Sequence, residues 1–217
     1  MNYLAHGHRF LDRPYFVAGT ALPDWMNVVN RRHRVRAKQA RTFVDASDPR
    51  HAEFARGILQ HHHDDDWFHR TPVFAELSLR FAKQLRDLLA GDAGQRPGFV
   101  GHIVVEILLD AVLAENQPEV LDQYYLSLAR VEPPVVAGAV SAMTGLDAAN
   151  LALFIPRFLQ ARFLYDYADD AKLLFRMNQV MGRVGLARLP DSLLRDWLPS
   201  VRHCVRLRHE ELFLPSH

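Results

Sequence analysis

Apolar residues recur at helical rather than strand spacing through most of the chain, and the breaks between these stretches fall at prolines and glycines. Strand-like alternation is sparse and no internal repeat is evident. The pattern therefore predicts a single all-α, compact multi-helix domain over residues 1–217. A short helical segment from Tyr3 to Phe10 carries His6 and His8, whose i,i+2 spacing keeps them off one helix face. Pro14 opens a helix through Leu22, where Pro23 and Asp24 end or redirect it. A basic helix is predicted over residues 35–45. Ser47-Asp48-Pro49 reads as a cap followed by proline at the first helical position. The helix it starts runs to about Trp67, with Phe54, Ile58 and His61 on one stripe. Thr71-Pro72 starts another, continuing through Leu89, and Gly91 to Gly98 forms a connection. Further helices are predicted over 99–114, 118–129, 135–144, 149–169 and 170–184, with a bend from Tyr167 to Asp170 and a last helix over 189–213.

Two of these helices carry more than packing. Residues 103–114 are apolar except for Glu106 and Asp110, which are costly in a core unless paired, protonated or bound to a metal. His102, Glu106 and Asp110 recur at i,i+4,i+8, and so do His61, Asp65 and His69. His62 and Asp66 form a parallel pair about 100° around the axis, and His63 and Asp64 are expected to face solvent. Helix bundles build metal centres from facing helices in this way, and nitrogen with carboxylate donors suits zinc, manganese or iron. The candidate metal set is Asp24, His61, Asp65, His102 and Glu106, with His8, His62, His69 and Asp110 as possible additions. Asp65 and Glu106 are candidates for ligand or water-orienting base, and His6 for protonating a leaving group.

Composition adds limits. The 217 residues are 49% hydrophobic and 24% charged with net charge +1, so global charge selects no partner. Arg31, Arg32, Arg34, Arg36 and Lys38 form a local basic stretch, either a solvated surface or, with Arg70, a patch for phosphate or an acidic partner. No nucleic-acid recognition motif accompanies it. Cys204 is the single cysteine, no apolar signal segment opens the chain, and no uninterrupted apolar run reaches membrane-spanning length. The expectation is a cytoplasmic protein with no membrane partner. There is no Walker loop, dinucleotide fingerprint, nucleophile elbow or repeated Glu-x-x-His pattern of di-iron bundles.

The opening Met1-Asn2-Tyr3-Leu4-Ala5-His6-Gly7-His8, the segment Gly19 to Trp25 and the segment Gly57 to Asp65 together resemble the acyl-carrier-protein phosphodiesterase family. Arg176 to Arg183 loosely resembles its carboxy-terminal motif. The likeness covers most of the chain. It implies a fold related to the HD-domain metal-dependent phosphohydrolases, with the family's histidine at His61 and its aspartate at Asp65. His69 stands where the family usually has an acid, and the family's acid-histidine pair is replaced by Glu106-Ile107, with His102 one turn earlier. The implied reaction is hydrolysis of the phosphodiester joining 4′-phosphopantetheine to acyl carrier protein, an acidic partner that suits the basic stretch. A non-catalytic helical scaffold or protein-binding module with a polar core is the competing expectation.

Overall fold

The computed structural model describes residues 1–30, 34–89 and 94–213. Arg31 and Arg32, and residues 91–93 of the Gly91–Gly98 connection, lie outside the described residues. Among those described, twelve α-helices and two 3-10 turns are present and no strand. The helices fall into two units.

One unit comprises Asn2–Asp65 and Gln117–Phe163. It contains α1 (Tyr3–Gly7), α2 (Pro14–Val29), α3 (Ala37–Arg41), most of α4 (Pro49–Phe68), α7 (Pro118–Ala129), α8 (Pro133–Thr144) and α9 (Ala149–Ala161). Helix α2 is central: α1, α7 and α9 all pack on it. Pro23 does not stop α2 at Leu22, contrary to the sequence expectation. The lost backbone hydrogen bond and ring clash cost roughly 3 kcal/mol. Continuing the helix sends Trp25 and Met26 into the core, where the Trp25 ring meets Phe158 at 5.4 Å. Burying two such side chains outweighs the proline penalty.

The close crossing of α2 and α4 fixes the site. A Cβ on Gly19 would collide with the carbonyl oxygen of Phe54, and one on Gly57 with that of Phe16. The two backbones touch because neither position has a side chain. Thr20 follows Gly19, and His61 lies one turn beyond Gly57, so the contact brings a carbonyl of α2 against an imidazole of α4. The start of α4 matches expectation: Asp48 accepts the Arg50 backbone N–H at 2.9 Å.

The other unit comprises Met1, Asp66–Asn116 and Leu164–His217. Its main helices are α5 (Pro72–Leu88), α6 (Pro97–Asn116), α10 (Asp170–Val184), α11 (Leu193–Asp196) and α12 (Leu198–Arg208). Helices α5 and α6 form the principal pair, and Gly101 of α6 lies against the backbone of Ser78 and Ala82. Helix α6 has the length and mean hydropathy, 1.7, of a membrane span, and 67% of that stretch is buried within the structure. Inside this unit Arg202 is buried, donating to Asp170 at 2.6 Å and to the Tyr167 carbonyl at 2.8 Å.

Three predicted helices are shorter or broken. The basic helix expected over 35–45 is only Ala37–Arg41. The one expected over 149–169 ends at Ala161, followed by a 3-10 turn. The last is interrupted at Trp197, because Pro199 has no N–H to donate back across the junction.

Candidate metal centres

His6 on α1 and His61 and Asp65 on α4 converge, with one ligand atom from each within 4.8 Å of the others. Their order along α4 follows from i,i+4 spacing; His6 arrives from a different helix. Asp65 Oδ1 is 3.4 Å from His6 Nε2, and Oδ2 is 3.3 Å from His61 Nε2. The imidazoles are buried and stacked, with ring centroids 4.0 Å apart.

The far nitrogens of the rings decide where the protons sit. His61 Nδ1 is 2.8 Å from the Thr20 carbonyl oxygen, which only accepts, so Nδ1 must donate. His6 Nδ1 is 3.2 Å from Asp64 Oδ2, and Asp64 Oδ1 accepts from Gln60 Nε2 at 2.7 Å. In the tautomer with one proton per ring, on Nδ1, both Nε2 lone pairs would face the Asp65 carboxylate. His6 Nε2 is fully buried and makes no hydrogen bond among the described residues. Lone pairs opposed to an anion are unfavourable alone and are what a cation requires. Neighbouring ligands of an ion with bonds of about 2.0–2.2 Å lie roughly 3.0–3.5 Å apart, and the N···O separations here fall in that range. Carboxylate and carbonyl groups behind metal-binding histidines fix ring orientation in the same way. Burial alone would raise the Asp65 pKa; with no ion between them, N–H groups that the His6 and His61 rings turn to the carboxylate overcome burial and hold it far below its usual range.

Asp64 departs from the expectation that it faces solvent. It is buried because His6 comes from α1 to meet it. No local pattern announces that contact, which spans 58 residues.

A second convergence consists of His69, just beyond α4, with His102 and Glu106 on α6. Glu106 Oε1 is 2.9 Å from His69 Nε2 and 3.2 Å from His102 Nε2. The Met1 amino nitrogen is 3.3 Å from the same oxygen. The Phe74 ring lies against both imidazoles, with centroids 5.0 and 4.9 Å away. Burial would raise the Glu106 pKa, but the amino group and the two imidazoles bring it well below the ordinary value.

The five residues proposed as one metal set thus divide by contact. His61 and Asp65 join His6, and His102 and Glu106 join His69. Asp24 joins neither convergence: it is half-buried one turn beyond Thr20, its direction set by the uninterrupted α2. Asp110 is buried one turn beyond Glu106 and is also outside them. His8 Nδ1 donates to the Ala5 carbonyl at 3.0 Å, and His62 Nε2 to that of Val35 at 3.0 Å. Burial lowers the pKa of both. Arg70 pairs with Asp66 at 2.6 Å on the surface, and Arg34, Arg36 and Lys38 are exposed.

Comparison with protein-family models, with curated proteins and with solved structures finds no match. Among the described residues the protein is all-helical and holds two histidine-carboxylate sets able to coordinate a metal ion.

Proposed function

We propose that this chain is a metal-dependent phosphohydrolase whose catalytic ion is held by His6, His61 and Asp65. The observation that carries the reading is the pair of Nε2 atoms 3.3–3.4 Å from Asp65, with the Nδ1 of each ring set against a partner, Asp64 for His6 and the Thr20 carbonyl for His61. A divalent ion bound there would lower the pKa of a water molecule and polarise a phosphoryl oxygen. Asp64 and the Thr20 carbonyl hold the two ring protons away from the reacting face, and Gln60 holds Asp64. Both His6 nitrogens are thereby committed, which makes it a ligand rather than the proton donor to a leaving group. Asp65 is the ligand open to solvent, its side chain 30% exposed, so substrate approaches from its side.

The substrate class we favour is a phosphodiester, with 4′-phosphopantetheinyl acyl carrier protein the leading candidate. It is supported by the resemblance of the His6, Gly19–Trp25 and His61–Asp65 segments, and by exposed Arg34, Arg36 and Lys38 facing an acidic carrier. The competing reading is a polar packing core in which protonated His6 and His61 pair directly with Asp65 at 3.3–3.4 Å.

A hydrolysis screen separates the two. Chelator-treated protein is reloaded with Mn, Fe or Zn and given a phosphodiester, a phosphomonoester and holo-acyl carrier protein. Metal-dependent phosphodiester cleavage that disappears in His61→Ala and in Asp65→Asn is expected. Activity unchanged by both substitutions, or no cleavage with any metal, would overturn the proposal.

A further inference from the structure

We propose that His69, His102 and Glu106 form a second divalent transition-metal site, of the two-histidine, one-carboxylate type. This goes beyond the phosphohydrolase reading and does not depend on it. The three donors come from two segments of one unit: His69 follows the end of α4, and His102 and Glu106 lie one turn apart on α6. Gly101 seats the start of that stretch of α6 directly on α5, so the neighbouring His102 is carried on a close backbone contact.

Three observations favour an ion. First, both Nε2 atoms address the same carboxylate oxygen, at 2.9 and 3.2 Å. Ligands at right angles around an ion with bonds of about 2.1 Å would lie roughly 3.0 Å apart, so little movement is needed to admit one. Second, the rings are held before any ion arrives: Phe74 packs against both, and their centroids are 4.9 Å apart. Pre-set ligands lose less freedom on binding. Third, the histidines are accessible, with side chains 34% and 42% exposed, while Glu106 is 17% exposed. The carboxylate is the anchor at the bottom and the imidazoles form the rim. An ion held by these three protein ligands would keep positions for water, as an exchangeable site does.

Imidazole nitrogen and a single carboxylate select zinc, nickel, cobalt or ferrous iron over magnesium or calcium, which prefer oxygen ligands alone. The ligand class is therefore a borderline divalent ion.

The test uses the full chain, stripped by chelator and titrated with zinc chloride, with bound metal measured by equilibrium dialysis and elemental analysis. Two equivalents are expected for the unaltered protein if both sites fill, and one for His61→Ala. Glu106→Gln and His102→Ala should each lose one equivalent while circular dichroism remains unchanged. Zinc-edge anomalous diffraction from zinc-soaked crystals of the unaltered protein supplies a measurement that no folding defect can obscure. A peak coordinated by His69, His102 and Glu106 supports the site whether or not the His61 centre binds zinc. Wild-type stoichiometry and affinity in folded His102→Ala and Glu106→Gln, or no anomalous peak at these residues under saturating zinc, would overturn it.

Discussion

Adding one methyl group at Gly57 tests whether the helix crossing builds the first centre. In an isolated helix, glycine to alanine stabilises by about 0.5–1 kcal/mol. At Gly57 the new Cβ would collide with the Phe16 carbonyl, a backbone group that cannot rotate away as a side chain would. Overpacking of this kind costs about 1–3 kcal/mol. Separating α2 from α4 also stretches the 2.8 Å bond between His61 Nδ1 and the Thr20 carbonyl, a loss of about 1 kcal/mol. The steric and hydrogen-bond losses exceed the helix gain, leaving Gly57→Ala destabilised by about 1–3 kcal/mol, or a fall in Tm of roughly 2–12 °C. Gly138→Ala is the control, because nothing lies within 4 Å of its Cβ position on α8. It should gain roughly 0.5–1 kcal/mol and melt a few degrees higher. Calorimetry of both variants, with zinc binding measured on each, reads the sign directly. If Gly57→Ala melts at or above the wild-type temperature and binds zinc as tightly, the close crossing does not position His61.

Asp64→Asn should weaken metal binding at His6, His61 and Asp65 by about 10–100-fold with little change in melting, because the amide can turn its NH2 toward His6 Nδ1 and reverse the ring tautomer; metal competition titration reads the shift. Arg202→Ala should destabilise the protein by roughly 2–4 kcal/mol, since it leaves Asp170 and the Tyr167 carbonyl without their buried donor. Arg202→Met should recover part of that loss through packing, and denaturant titration distinguishes the two. Stability should fall as pH drops below about 6.5, because burial lowers the pKa of His8 and His62 and the unfolded chain takes up their protons first. Asp65 and Glu106 work in a lower window. Their folded pKa values are depressed, so their contribution is complete above the ordinary carboxylate range and is lost below about pH 4. Melting temperatures from pH 8 to 3 should decline in two stages, and replacing His8 and His62 with glutamine should flatten the upper one.

Helix starts were legible in the sequence wherever a cap and proline occur together, as at Asp48-Pro49 and Thr71-Pro72. Helix ends were less so. Pro23 carries the same chemical signal as a terminator, but its effect depends on what the next turn buries, and Trp25 reaches the core only through tertiary packing. Trp197 shows the converse: an apolar pattern continues across a junction that Pro199 breaks.

The His61–Asp66 run shows why spacing reveals part of a metal centre and conceals the rest. Periodicity pairs His61 with Asp65, because four residues return the helix to the same face. It also assigns Asp64 to another face, about 100° away, and there the inference of solvent exposure fails. A helix face is solvated only when no other segment covers it, and α1 covers this one with His6. The same contact gives Asp64 its use: without it His6 Nδ1 has no carboxylate partner, and nothing directs the Nε2 lone pair at Asp65. The two adjacent aspartates therefore have different chemistry despite their identical side chains. Asp65 meets the ring edges where an ion would bind, and Asp64 sets the proton on the ring's far side. A sequence pattern can count donors on a helix, but the protonation state that makes a histidine a ligand is supplied by a partner from elsewhere in the chain.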